Sequence, residues 1–184
     1  NDALYGIPLS APKFKTQVLA GCLFDPPHSD NPGMFSQPDL SFLPDSPCYL
    51  NGEIGPLREA RISVLDRGFI FGDGVYEVVP VYGGRAFRLE HHLARLSRSL
   101  DEIRIPNPHD AAGWRTLIEQ LVHANASHQG RAASDIHQFV YLQISRGVAP
   151  RDHAMPPGLP PTVFVMVQPL KPVPTAQRVS GARP

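Results

Sequence analysis

The stretch that most constrains this chain is Asp66-Arg67-Gly68-Phe69-Ile70-Phe71-Gly72-Asp73-Gly74-Val75-Tyr76-Glu77. Three glycines and two aspartates fall within its first nine residues. Such a density reads as a loop, because glycine adopts backbone conformations closed to other residues and lets a ligand approach the main chain. Val75 to Tyr82 then reads as a strand. A glycine loop running into a strand that begins Val-Tyr-Glu sets the Tyr76 hydroxyl near the loop mouth, as in the wall of a small-molecule site. A Gly-Asp-Gly run taken alone is also an ordinary turn. Two downstream segments at fixed distances raise it above a turn: a basic helix with His92 and Arg95, then Pro150-Arg151-Asp152-His153.

The rest of the chain sets the limits. Its 184 residues suffice for one ordinary domain with a core. Net charge is zero, so there is no electrostatic footprint for nucleic acid or an anionic membrane. Arg67-Gly68-Phe69-Ile70-Phe71 brushes an RNA-binding pattern but departs from it at Ile70 and Gly72. Two cysteines, Cys22 and Cys48, do not make a disulfide framework, so a reducing, cytoplasmic compartment is expected. Leu19-Ala20-Gly21-Cys22 looks like a lipoprotein cleavage site, but the apolar run before it is too short for a signal segment. No stretch is apolar enough to span a bilayer.

Of 21 prolines, eight precede residue 48 and eight lie between Pro150 and Pro174, which leaves the middle for helices. Residues 1–47 read as a Pro-rich, largely disordered extension. Met34, the first methionine, is a candidate natural start. Cys48 to Ile54 carries Asn51-Gly52 between apolar residues, a hairpin signal. Arg61 to Leu65 suggests a short strand into the glycine loop. Pro80 implies an edge or a bulge in the strand after that loop. Gly83-Gly84 turns the chain, and Arg85 to Leu89 returns antiparallel. Glu90 to Ile105 is the clearest helix, with Leu89, Leu93, Leu96, Leu100 and Ile103 on one stripe and Pro106 and Pro108 ending it. A second helix, Asp110 to Ala126, is capped by Asp110 and turns Trp114, Leu117, Ile118, Leu121 and Val122 inward. Ala124 to Ser134 reads as a polar loop. Ile136 to Ser145 alternates as a strand, and the apolar Thr162 to Val167 fits a strand buried on both faces. The expected architecture is α+β: a small antiparallel sheet with two main helices over residues 48–168, then the start of a linker at 169–184.

Several residues are candidates for chemistry. Arg95 could grip a phosphate through two parallel hydrogen bonds, although Arg88, Arg98 and Arg104 lie on or beside the same helix and a solvated helix arginine is the plainer alternative. Arg151 and His153, two apart in a Pro-bounded loop, would point to one side of an extended segment and could trap a carboxylate; ordinary loop charges are the alternative. His91-His92 is a poor metal motif, because adjacent helix residues diverge; no metal is expected. There is no nucleophile elbow and no P-loop.

In order and spacing, the glycine stretch through Val79, Phe87-Arg88-Leu89, His92-Leu93-Ala94-Arg95-Leu96 and Ser145 through His153 resemble the small N-terminal domain of fold-type IV pyridoxal-phosphate enzymes, the D-amino acid aminotransferases among them. The resemblance covers about residues 48 to 168. The glycine stretch and the His-x-x-Arg-Leu helix are shared with branched-chain aminotransferases and aminodeoxychorismate lyases, whereas Pro150-Arg151-Asp152-His153 points to the D-amino acid branch. It implies that Arg95 binds the phosphate of pyridoxal 5′-phosphate. It implies that Tyr76 lines the substrate side, and that Arg151 and His153 hold the α-carboxylate of a D-amino acid such as D-alanine across a homodimer interface, the partner substrate being a 2-oxo acid. In the family the Schiff-base lysine lies in a second, larger domain. Lys13, Lys15 and Lys171 do not match it, so the chain alone is expected not to transaminate. A non-catalytic dimerisation or binding domain is the rival expectation.

Overall fold

The computed structural model describes residues 41–181. Residues 1–40 of the expected extension, with Lys13, Lys15, Cys22 and Met34, lie outside the described residues. Six strands form one antiparallel sheet. In chain order they are β1 (Pro47–Leu50), β2 (Glu53–Pro56), β3 (Gly74–Tyr82), β4 (Arg85–Ala86), β5 (His137–Ser145) and β6 (Thr162–Pro169). In space they run β2-β1-β6-β5-β3-β4. The helices are α1 (Arg67–Phe71), α2 (Leu89–Glu102), α3 (Ala111–His128) and α4 (Thr175–Ser180). The α+β expectation holds.

Both hairpin signals are realised. Asn51 and Gly52 both take positive φ between β1 and β2, as a two-residue hairpin requires. The Asn51 side chain also accepts a hydrogen bond from the Val163 amide at 2.8 Å, pinning the hairpin to β6. Gly83-Gly84 joins β3 to the two-residue β4. Because β4 covers only Val81 and Tyr82, no described strand pairs with the outer edge of β3 from Gly74 to Val79. Pro80 is tolerated for a local reason. Its carbonyl accepts from the Phe87 amide at 2.8 Å, so its missing N–H faces that side and not β5.

The core lies between one face of the sheet and helices α2 and α3. Leu89, Leu93, Leu96 and Leu100 of α2 and Trp114, Leu117, Ile118, Leu121 and Val122 of α3 pack there. Beneath them lie Val79, Val81, Val140, Leu142, Ile144, Val163, Val165 and Val167. Each aliphatic side chain fully withdrawn from water stabilises the fold by roughly 1.5–3 kcal/mol. One polar pair is admitted to this core: Asn125 donates to Gln138 at 2.7 Å. Asp110 caps α3 through the Gly113 amide at 2.7 Å.

Several expectations change. The Asp66–Gly74 stretch is not a loop throughout, because Asp66 accepts from the Gly68 amide and nucleates the single turn α1, which left-handed Gly72 ends. Arg61 to Leu65 forms no strand; Asp66 alone bridges to Val148. Helix α2 stops at Glu102, short of the prolines, where left-handed Arg104 lets the Ile105 amide reach the Leu100 carbonyl. Helix α3 runs on to His128, into the expected polar loop. Strand β6 is not buried on both faces: Val163, Val165 and Val167 are buried, whereas Phe164 and Met166 are half-buried on the face away from the core of α2 and α3. The segment read as a linker carries α4.

Candidate functional site

Three carboxylates, two buried and one half-buried, organise the region around the glycine stretch, and each does a different job. Asp66 is 2% exposed. One oxygen accepts from the Gly68 amide (2.8 Å) and the Ser145 hydroxyl (2.6 Å), the other from the Thr162 hydroxyl (2.6 Å). The N-cap of α1 is thereby fastened to the ends of β5 and β6. Beside it a groove of about 270 Å³, lined by Ile62, Phe69, Gln143 and Phe164, opens on the uncovered face of the sheet.

Asp73 sits between two arginines. Arg67 Nε reaches it at 2.8 Å, and Arg146 grips it with Nε at 2.7 Å and Nη2 at 3.0 Å. Burial alone would push its pKa up; the hydrogen bonds from Arg146 and then Arg67 outweigh that and hold it below the ordinary carboxylate range. Both arginines also donate to backbone carbonyls. Arg67 Nη1 donates to the Asp152 carbonyl at 2.8 Å and the Ala154 carbonyl at 3.3 Å. Arg146 donates to the Ile103 and Arg104 carbonyls at the end of α2.

Glu77 is the third. It lies on the covered side of β3, where Arg95 of α2 holds both oxygens, Nε at 2.5 Å and Nη2 at 2.6 Å, and His92 Nδ1 approaches at 2.9 Å. Desolvation again pushes the carboxyl up, and the Arg95 and His92 contacts overturn it, so the net shift is downward. The same contact raises Arg95, with a smaller push from the Tyr76 phenol. Arg95 is 56% exposed, and among the described residues its Nη1 has no hydrogen-bond partner. The arrangement presents a fixed guanidinium with a donor to spare, which suits a phosphate oxygen.

Tyr76 alternates with Glu77 and so stands on the open face of β3, 66% exposed. Its ring stacks on Tyr141 of β5 at 5.8 Å, and the Tyr141 hydroxyl donates to Gln143 at 2.8 Å. Burial, with a smaller contribution from Tyr76, raises the Tyr141 pKa. Arg151 and His153 are both exposed. Their segment is bent and not extended, yet the structure brings them together on one ring: Arg151 lies 5.6 Å from the centroid of Phe71, and the His153 ring 5.7 Å from it. Among the described residues no hydrogen bond or ring contact joins either of them to Tyr76 or to Arg95. The loop enters through Gly147, whose φ is +99° and where a Cβ would lie 2.1 Å from the Pro160 carbonyl oxygen. No other residue fits there.

The Amino-transferase class IV family model matches residues 74–182. The chain belongs to that family. As a class IV aminotransferase chain it is 37% identical over 121 residues to the D-alanine aminotransferase of Bacillus licheniformis, a match covering 66% of this chain and 40% of that protein. It spans about 40% of the length of such curated relatives. A hypothetical aminotransferase from Mycobacterium tuberculosis in its PLP-bound form superposes with a TM-score of 0.55 at 30% identity, over 68% of this chain and 40% of that one. The branched-chain aminotransferase of Thermoproteus uzoniensis, at 24% identity and a TM-score of 0.58 over 68% and 41%, shares the fold. The resemblance read from the sequence is thus borne out.

Sequence reasoning singled out Tyr76, Arg95, Arg151 and His153. It missed Asp66, Asp73 and Glu77, which hold the elements around them, and also Phe71, Arg67, Arg146 and Tyr141. The acidic residues were visible as charges within an apolar, glycine-rich stretch, and that juxtaposition was their only signal.

Proposed function

We propose that this chain is the N-terminal part of a pyridoxal-phosphate-dependent D-amino acid transaminase, which moves an amino group between a D-amino acid such as D-alanine and a 2-oxo acid. The observation that carries the reading is the convergence of Arg151 and His153 on Phe71. A guanidinium and an imidazole seated on the same ring suit a carboxylate clamp, and the chain's 37% identity to a D-alanine aminotransferase supports it. Clamping the α-carboxylate decides which face of the α-carbon is presented to the reacting centre, and so selects the enantiomer.

Tyr76 lines the substrate side in this reading. The separation of Tyr76 from the Arg151–His153 pair within one chain supports a homodimer in which the clamp serves the partner's site. The free Nη1 of Arg95 fits one oxygen of the cofactor phosphate. Pyridoxal phosphate, when bound, supplies the electron sink for the substrate α-carbon. Lys171, the one lysine among the described residues, is exposed beyond β6; the group that moves the α-proton belongs to the part of the relatives' length that the chain does not span. Residues 48–168 make the N-terminal domain, residues 169–184 begin the linker, and the compartment is the cytoplasm.

The test is an assay of the whole gene product that carries these residues. D-alanine with 2-oxoglutarate should give D-glutamate and pyruvate, and L-alanine should not. Arg151→Ala should cut kcat/KM for D-alanine on the order of 10²-fold. Turnover of L-leucine or of aminodeoxychorismate in place of D-alanine would sink the reading in favour of a branched-chain aminotransferase or a lyase. A cofactor-free dimer without activity would favour a binding domain.

A further inference from the structure

We infer that Arg67, anchored on Asp73, is the positioning residue of the Arg151–His153 clamp; the inference rests on the function just proposed. Arg151 and His153 are exposed, and exposed side chains on a bent, Pro-rich loop do not hold a shared geometry by themselves. Something beneath them must supply it. The contacts of that loop lead to one turn of helix. Arg67 Nη1 takes the carbonyls of Asp152 and Ala154, the residues on either side of His153. The same guanidinium lies 4.7 Å from the centroid of Phe71, the ring against which Arg151 and His153 rest. Its Nε is held by Asp73, and its backbone amide donates to the Gly147 carbonyl at 2.9 Å, at the root of the loop. Arg67 therefore sets the height of the loop backbone and one wall of the ring that seats both clamp residues.

The choice of arginine follows from its shape. A planar fork can hold a carboxylate with one edge and two carbonyls with another. A lysine at the same place has a single nitrogen on a flexible stem, which cannot match the fixed spacing between Asp73 and the two carbonyls that the fork spans. The Asp73 carboxylate has a second task. It offsets the Arg67 charge beneath Arg151, so that the two cations near Phe71 do not drive each other apart. Arg146 locks the other side of Asp73 to the end of α2, which makes α1 a fixed platform.

The experiment uses the whole gene product with Arg67→Lys, and Phe71→Leu as a second variant that keeps the helix charge pattern should the first fold poorly. Three readouts are taken: KM and kcat for D-alanine, the D-over-L preference, and amide hydrogen exchange across residues 151–158. The expected result for Arg67→Lys is a KM for D-alanine raised on the order of 10²-fold. The D-over-L preference should fall and exchange should quicken in the loop, with kcat at saturation and bound-cofactor absorbance little changed. Phe71→Leu should move the same readouts less. A scaffold role without positioning would lower the melting temperature and leave the enantiomer preference of the folded molecules intact; that result overturns the inference. Should the unaltered protein fail to transaminate D-amino acids, the proposed function falls, and the exchange data decide alone. Quickening confined to 151–158 upholds Arg67 as the anchor of the loop, and unchanged exchange overturns it.

Discussion

Asp73 and Glu77 stand four residues apart on one segment, Asp73 held by two arginines and Glu77 by an arginine and a histidine, yet they serve opposite ends. The cations on Asp73 are themselves inside: Arg67 is 5% and Arg146 9% exposed, and both also donate to backbone carbonyls of other segments. The Arg95 side chain on Glu77 is 56% exposed, and among the described residues its Nη1 has no hydrogen-bond partner. A carboxylate whose partners are buried and tied to other backbone segments fastens elements together. A carboxylate buried beneath an exposed cation is a pedestal, which fixes the direction of a charge that remains available to something outside. Burial of an acid therefore says little about its role until the exposure of its partner is known.

The comparison breaks most visibly at Asp73. Asp73→Asn removes the charge that two nearly buried guanidinium groups share, and leaving such a group unmatched costs about 3–5 kcal/mol. Urea unfolding should show the midpoint falling by that equivalent with the slope unchanged. An effect below about 1 kcal/mol, the size of a surface ion pair, would place Asp73 with Glu77 and not apart from it.

Glu77→Gln should cost less, roughly 1–3 kcal/mol, because Arg95 can turn to water once released. Acid titration sharpens the contrast. Both carboxyls are held below their ordinary values, 3.8 for Asp73 and 4.5 for Glu77. A depressed folded-state pKa contributes stability that is fully present above the unfolded value and is lost as pH falls through the folded one. The protein should therefore keep its stability down to about pH 4.5 and lose it progressively below. Glu77→Gln and Asp73→Asn should each flatten part of that fall, measured as unfolding free energy against pH. An acid limb that is unchanged in both variants would show that neither pair couples to folding.

How much of this was legible beforehand depended on the reach of the interaction. The Asn51-Gly52 and Gly83-Gly84 turns and the leucine stripe of α2 were readable because each is set by residues within a few positions of one another. Arg67 and Asp152 are 85 positions apart, Asp73 and Arg146 73, Asp66 and Thr162 96. Local pattern shows an aspartate among glycines as a turn former, since nothing nearby reveals what will desolvate it or pair with it. Strand β6 failed differently. Val163-Phe164-Val165-Met166-Val167 is apolar at every position, so the sequence cannot show that Phe164 and Met166 lie on the face away from α2 and α3. The exposed residues Tyr76, Arg151 and His153 could be picked out through motif resemblance, but the platform under them could not.

The smallest effect on stability and the clearest on binding should come from Arg95→Lys. A lysine keeps one charge-assisted contact to Glu77, so the buried carboxylate is not left bare, and the unfolding midpoint should move little. What it cannot keep is the division of labour within the fork. Arg95 spends Nε and Nη2 on Glu77 and has Nη1 left over; a single ammonium drawn toward Glu77 has no separate edge to offer. Affinity for pyridoxal phosphate, followed by absorbance during titration of the whole gene product, should fall about tenfold, which corresponds to about 1.4 kcal/mol. The same variant should titrate pyridoxal, which lacks the phosphate, as the original does. If both ligands weaken equally, Arg95 serves the fold and not the phosphate, and the pedestal reading of Glu77 goes with it.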